Sequence, residues 1–249
     1  MSFPSLPNLL QNRVFLTGAT GLLGRQIAKQ LIENQYEVIA LLRPGSKDRK
    51  QLVPYSSQIQ WIEGDLGDLH ALEEGMNRAD YVIHSGALVS FDPKDRNRLH
   101  KINSEGTANV VNVALKIPHL IKLVHVSSVA TLSPSKPQPA DIDERQGFNP
   151  NKNTSDYARS KYLAELEVIR SVEEGLKSVI INPSIILSAG GPDESSASLL
   201  DYVQKRRPFY TSGWINYVDV RDVASVVVQL LTQGPSDGQR IILSAGHLE

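Results

Sequence analysis

The sequence predicts an α/β chain built on a doubly wound parallel sheet, on three observations. Short β-branched apolar runs alternate with helical patterns along most of the chain, the rhythm of a parallel sheet covered on both faces. The first run is followed by a glycine-rich turn, Thr17-Gly18-Ala19-Thr20-Gly21-Leu22-Leu23-Gly24, that opens a helix. The two stretches that break the rhythm both follow strand ends, the side on which such sheets bind ligands.

The elements follow in order. Val14-Phe15-Leu16 centres a strand over 13–17, and Leu22, Leu23, Ile27, Ala28, Leu31 and Ile32 repeat along one face of a helix over 22–34. Glu37-Val-Ile-Ala-Leu-Leu predicts a strand over 37–42, with further strands at 59–62, 80–84, 121–127 and 177–182. These near-continuous apolar runs suit strands buried on both faces. Helical patterns lie between them at 68–76, 95–116 and 155–174. Residues 131–153 hold four prolines, and 188–213 hold Gly190-Gly191-Pro192 and a serine-rich run. Connections this long are functional or disordered in a compact domain. A helix is predicted to about 233 after Ile215–Ala224, and Arg240–Ser244 reads as a last strand. The chain is therefore expected to divide into a core over 1–183, a small lobe from 184–214 and 235–249, and a return to the core over 215–234. It stops directly after its last strand, which predicts a lobe cut short at the C-terminus.

Composition narrows the function classes. Of 249 residues, 41% are hydrophobic and 21% charged, with a formal net charge of −1, so no basic footprint for nucleic acid exists. The absence of cysteine excludes disulfides and thiolate chemistry, and it suits a reducing compartment; a cytoplasmic location is expected. The N-terminus lacks a basic n-region and carries prolines where an apolar h-region would stand, and no run is long enough to span a membrane. The six histidines lack metal-ligand spacing, so no metal is predicted.

Strand, glycine turn and helix together point to a pyrophosphate. Gly18 turns the chain sharply, Gly21 admits close backbone approach, Gly24 lets helix and strand pack closely, and the helix N-terminus presents free N–H groups. Tyr157-Ala-Arg-Ser-Lys161 puts a phenol and an ammonium on one helix face. A nearby ammonium lowers a phenol's pKa, and a workable general acid/base near neutrality needs about 3 units from an unperturbed ~10. The same pair is also what an ordinary surface i,i+4 contact looks like. Ser127-Ser128 ends the strand at 121–127, where Ser128 would face a ligand or cap a turn.

Glycine turn, serine at the fifth strand and Tyr-x-x-x-Lys, in that order, make the sequence resemble an extended short-chain dehydrogenase/reductase, with its dihydroflavonol 4-reductase-like proteins the most similar. Thr17–Gly24 resembles the family's T-G-x-x-G-x-x-G turn, Gly64-Asp65-Leu66 its G-D-[LV], and His84-Ser85-Gly86-Ala87 its H-x-A-A, with Gly86 replacing an alanine. Asn103-Ser-Glu-Gly-Thr-Ala-Asn109-Val resembles N-x-x-G-T-x-N-[VL], Asn182-Pro183-Ser184 resembles R-P-x with asparagine for arginine, and Tyr217–Ala224 resembles the V-x-D-V segment. The resemblance implies a Rossmann core holding a dinucleotide through Thr17, Gly18, Thr20, Gly21, Leu22, Leu23 and Gly24, the adenine at Asp65 and Leu66, and further contacts from Ser85, Gly86, Ala87, Ser127, Pro183 and Ser184. A helix or turn cap is the other reading of Asp65.

No acid ends the second strand to hold a ribose 2′-OH. Arg43 stands there, with Lys47, Arg49 and Lys50 behind it. Arg43 and Lys50 therefore predict NADP rather than NAD, a bidentate guanidinium pairing the 2′-phosphate; a solvated basic loop is the other reading. The resemblance implies hydride transfer between nicotinamide and a small-molecule carbonyl or its alcohol. In it, Tyr157 is the general acid, Lys161 the ribose-binding partner, and Ser128 orients the oxygen. Phe209, Tyr210 and Trp214 would suit an apolar substrate body or lobe packing. A nucleotide-sugar epimerase or dehydratase using bound NAD, with Arg206 or Arg207 on the diphosphate, is the alternative enzyme. A non-catalytic NADP-binding sensor is the alternative without chemistry. Helices 95–116 and 155–174 correspond to those that pair subunits in relatives, so Leu163, Leu166 and Ile169 predict a homodimer face or a core stripe.

Overall fold

The computed structural model describes residues 12–46, 55–133, 142–151, 154–188 and 215–248. Seven strands form one parallel sheet: β1 (Arg13–Thr17), β2 (Glu37–Leu42), β3 (Ile59–Glu63), β4 (Tyr81–His84), β5 (Lys122–Val126), β6 (Ser178–Pro183) and β9 (Asp237–Leu243), in the spatial order β3-β2-β1-β4-β5-β6-β9. After β3 the chain crosses back over β1 to place β4 on its other side, so the switch point lies between β1 and β4. Their register sets Thr17 opposite His84.

The pleat sends alternate side chains to opposite faces. Val14 and Leu16 pack toward Ile27 and Leu31 of α1 (Leu22–Glu33) and toward Val223 and Val227 of α6 (Val220–Thr232). Phe15 packs on the other face with Leu72 and Met76 of α2 (Leu69–Asn77), Val110 and Val111 of α4 (Gly106–Ala114) and Val168 of α5 (Asp156–Glu173). A Cβ on Gly75 of α2 would stand 2.1 Å from the Phe15 ring, so only glycine lets that helix lie so close to β1.

Three differences from the sequence expectation have physical causes. The stretch 235–249 was assigned to the lobe, but β9 pairs in parallel with β6 and closes the sheet, because α6 serves as the crossover back to it. Residues 215–219 form β8 (Ile215–Asp219), which pairs with β7 (Ile185–Leu187) and β10 (Gly246–Leu248) in a separate three-stranded sheet; the return to the core begins at α6. The helix predicted over 95–116 is α3 (Arg96–Leu99), a π-helical stretch His100–Glu105 and then α4. Gly106 is wedged against Leu66, where a Cβ would meet the leucine Cβ at 2.9 Å. Lys47, Arg49, Lys50, Arg206, Arg207, Phe209, Tyr210 and Trp214 lie outside the described residues, as does most of the expected lobe.

Candidate active site

The predicted site residues gather at the C-terminal ends of the parallel strands. Thr17 ends β1, Arg43 follows β2, Gly64-Asp65 follow β3, Ser85–Ala87 follow β4, Ser127-Ser128 follow β5 and Ser184 follows β6. Gly18 has φ +77°, and a Cβ there would stand 2.7 Å from the Gly86 nitrogen. A Cβ on Gly24 would stand 1.9 Å from the Gly18 carbonyl oxygen, so the turn and helix meet backbone to backbone. Thr20 is tied into the turn by Arg25, which donates to its carbonyl at 3.0 Å, while Leu22 and Leu23 anchor the helix in the core. Gly21 caps α1 without a side-chain hydrogen bond, and the first turn carries no acid. That leaves the open N–H groups and positive helix end that a pyrophosphate requires, so the cradle fits a dinucleotide.

Gly86 sits close against Thr17. Its N–H donates to Thr17 Oγ1 at 3.1 Å, and an added Cβ would stand only 3.1 Å from that oxygen. Asp65 is exposed and uses one carboxylate oxygen to accept from the Gly67 N–H at 2.7 Å, so the turn-cap reading holds for that oxygen. The Leu66 carbonyl accepts from Asn109 at 2.9 Å. Arg43 is exposed beside the β3 exit, where the Gly64 N–H donates to the Leu42 carbonyl at 2.9 Å. Ser184 is buried, with a hydroxyl that finds no partner among the described residues.

The three residues expected to do chemistry also come together. Ser155 caps α5 by accepting from the Ala158 N–H at 3.1 Å, which places Tyr157 in the first turn and Lys161 one turn on. Burial holds the Tyr157 phenol above its usual pKa, and the neighbouring Ser128 side chain draws it part of the way back. Phe91, 74% exposed, stands edge-on to the Tyr157 ring at 5.7 Å. The expected lowering of the phenol by Lys161 is not met, because the ammonium is turned into the sheet. Lys161 Nζ donates to the Val126 carbonyl at 2.8 Å and lies 3.5 Å from His125 Nε2. Its burial is nearly complete and brings its pKa down to about 8, while Glu165 acts in the opposite direction.

Sequence reasoning named His84 and Asn103 as motif members and missed the buried His125 and Glu165. His84 and His125 are fully buried, tilted rings 5.1 Å apart, and burial next to Lys161 keeps both neutral, His84 with a pKa near about 3. A His125 that accepts from Lys161 at Nε2 carries its hydrogen on Nδ1, which has no partner among the described residues. Asn103, in the π-helical stretch, donates to the Leu88 carbonyl and to Ser160 Oγ, both at 2.9 Å, and accepts from the Leu88 N–H at 2.7 Å. Ser160 in turn donates to the Tyr157 carbonyl at 2.8 Å, so Asn103 braces the tyrosine's helix. Glu165, wholly buried, receives Ser127, Thr131, Asn182 and Arg240. The i+4 spacing from Tyr157 to Lys161 to Glu165 was the one signal that could have found it. Among the described residues no cluster of His, Asp or Glu suits a metal, and no helix is long and apolar enough to cross a membrane.

The chain is similar to known proteins over most of its length. Residues 14–246 match the NAD dependent epimerase/dehydratase family. A protein of Synechocystis sp. named provisionally as a dihydroflavonol 4-reductase is 34% identical over 216 residues, 85% of this chain and 60% of that protein. Cinnamoyl-CoA reductase 1 of Petunia hybrida is 28% identical, over 91% of this chain and 71% of its own length. The yeast methylglyoxal/isovaleraldehyde reductase Gre2, solved with NADPH, superimposes with a TM-score of 0.82 at 20% identity, over 94% of this chain and 78% of that one. The chain thus spans 60% to 78% of the length of these relatives. A match running from β1 into β10, on a fold whose glycine turn and tyrosine helix face one another across the strand ends, places the chain in the NAD dependent epimerase/dehydratase family, the extended short-chain dehydrogenases/reductases.

Proposed function

We propose that the chain is an NADP-dependent oxidoreductase that reduces an aldehyde or ketone, or oxidises the matching alcohol. The observation that carries this reading is the convergence of Ser128, after β5, on the buried phenol of Tyr157 in the first turn of α5, whose pKa Ser128 draws down, with Lys161 one helical turn on. The cradle of Gly18, Gly21 and Gly24, with Thr17, Thr20, Leu22, Leu23, Ser85, Gly86 and Ala87 around it, would hold the pyrophosphate. Asp65 and Leu66 would hold the adenine, Arg43 and Lys50 a 2′-phosphate, and Ser127, Pro183 and Ser184 the nicotinamide end. The nicotinamide supplies or accepts the hydride.

Ser128 holds the carbonyl oxygen by a hydrogen bond. Tyr157 gives its phenolic proton to that oxygen as the carbon becomes tetrahedral, and the resulting phenolate is stabilised by the Lys161 ammonium. General acid catalysis of this kind contributes roughly 10²–10⁴-fold, with orientation adding to it. Burial alone holds the phenol too high for this work, so the account requires Lys161 to leave the Val126 carbonyl and face Tyr157 when ligand is present. The reductases among the relatives support the reaction class. The NADPH bound by Gre2 suits, for this chain, the exposed Arg43. Screening aliphatic and aromatic carbonyl compounds for substrate-dependent NADPH oxidation tests the proposal. Turnover of at least one class is expected, and epimerisation of a sugar nucleotide with NAD in its place would overturn it.

A further inference from the structure

Glu165 lies one helical turn beyond Lys161 and is 0% exposed. Its Oε1 accepts from Ser127 Oγ at 2.5 Å, Thr131 Oγ1 at 2.7 Å and Asn182 Nδ2 at 2.7 Å, and its Oε2 accepts from Arg240 Nε at 2.8 Å. Four donors and no acceptor surround it, which only an ionised carboxylate satisfies. One of these donors also holds the backbone of the neighbouring serine: Asn182 Nδ2 donates its second hydrogen to the Ser128 carbonyl at 3.0 Å, and Thr131 Oγ1 lies 2.9 Å from the same oxygen. The carboxylate therefore gathers β5, β6, β9 and α5 beside Ser128.

We propose that Glu165 is a positioning residue of the Ser128–Tyr157–Lys161 site: its hydrogen bonds fix the Ser128 backbone and its charge keeps Lys161 cationic. The proposal rests on the oxidoreductase reading for its purpose but not for its test. Lys161 sits among groups that disfavour its charge or are indifferent to it. His125 on β5 and His84 on β4 are neutral, the Tyr157 phenol on α5 is protonated, and Arg240 on β9 faces the far oxygen of Glu165. Among the described residues, Glu165 is the one anion that acts on the ammonium, against the cost of burial. A purely structural ion pair would explain the Arg240 contact but would leave the titration of Lys161 unmoved when its charge is removed.

The test is an NMR titration of the full chain carrying labelled lysine side chains, with the Lys161 signal assigned by its loss in Lys161→Met. Wild-type Lys161 is expected to titrate near about 8. Glu165→Gln, which keeps the shape and removes the charge, is expected to lower that midpoint by at least about half a unit, whereas Glu165→Asp leaves it near the wild-type value. An unchanged midpoint in a folded Glu165→Gln chain overturns the proposal. Should that variant fail to fold, Arg240→Leu decides. Removing the guanidinium frees the carboxylate's field and must raise the midpoint; no rise overturns the proposal. None of these readouts requires turnover, so a failure of the oxidoreductase reading would show separately, as a folded chain that reduces no carbonyl.

Discussion

Thr17 and Thr107 hold His84 between them in a single hydrogen-bond direction. The Gly86 N–H donates to Thr17 Oγ1, whose hydroxyl therefore donates to His84 Nδ1 at 2.7 Å. At the other end Thr107 donates to the Asn103 carbonyl at 2.6 Å, so it accepts from His84 Nε2 at 2.9 Å. The ends of the chain, a backbone donor and a backbone acceptor, leave the imidazole one tautomer, with its hydrogen on Nε2. The glycine turn and the helix carrying Asn103 are thereby joined through a neutral ring.

That ring makes the fold acid-sensitive. His84 has a folded-state pKa near about 3 against an ordinary 6.5, so below pH 6.5 the unfolded chain binds a proton that the folded chain does not. Stability is complete above 6.5 and is lost as the pH falls toward 3. Denaturant unfolding at pH 5 should show a loss of roughly 2 kcal/mol from His84 alone relative to pH 7.5, and His125 acts in the same direction. Equal stabilities at the two pH values would show that the rings are not held neutral.

The cradle is expected to tolerate no added carbon at Gly24. Its Cβ would meet the Gly18 carbonyl oxygen at 1.9 Å, a backbone atom that cannot step aside. Gly24→Ala should cost about 1–3 kcal/mol of stability, as overpacking does, and weaken NADPH binding at least about tenfold. Gly86→Ala, whose Cβ would meet Thr17 Oγ1 at 3.1 Å, should be milder on both counts. Fluorescence titration of NADPH alongside thermal melts separates the two effects.

Arg43 is expected to choose the cofactor. Arg43→Ala should weaken NADPH binding by about 10- to 100-fold, the loss of a charge-assisted pairing worth ~1.5–3 kcal/mol, and leave NADH binding unchanged. Equal weakening of both dinucleotides would place Arg43 away from the 2′-phosphate.

The exposed leucines of α5 suggest self-association. Leu163 and Leu166 are 39% and 41% exposed and lie three residues apart on one helix face. Leu163→Glu with Leu166→Glu should yield a monomer in sedimentation experiments in which the parent chain sediments as a dimer. A parent chain that is already monomeric would assign these residues to the surface.

Most of the sheet was legible because its strands are buried on both faces and read as apolar runs: Val14-Phe15-Leu16 and Val179-Ile180-Ile181 needed no context. The glycine turn was legible because Gly18 and Gly24 have a backbone reason to be glycine. The π-helical turn at His100–Glu105 was not, since it follows from how Asn103 and Gly106 meet Leu88 and Leu66 across the fold. Glu165 was hidden for the same reason. On a helix of polar pattern a glutamate reads as solvated, and the partners that show it is buried, Ser127, Thr131, Asn182 and Arg240, lie on other elements of the fold. His84 and His125 were hidden inside strands, because sequence position alone does not show which hydroxyls surround a ring.

Tyr157→Phe separates proton delivery by Tyr157 from the dinucleotide cradle, which is independent of that side chain. NADPH affinity and carbonyl reduction are measured side by side on the wild-type and variant chains. NADPH binding is expected within about twofold of wild type, with a loss of turnover of roughly 10²–10⁴-fold. Turnover retained by the phenylalanine variant would contradict proton delivery by Tyr157.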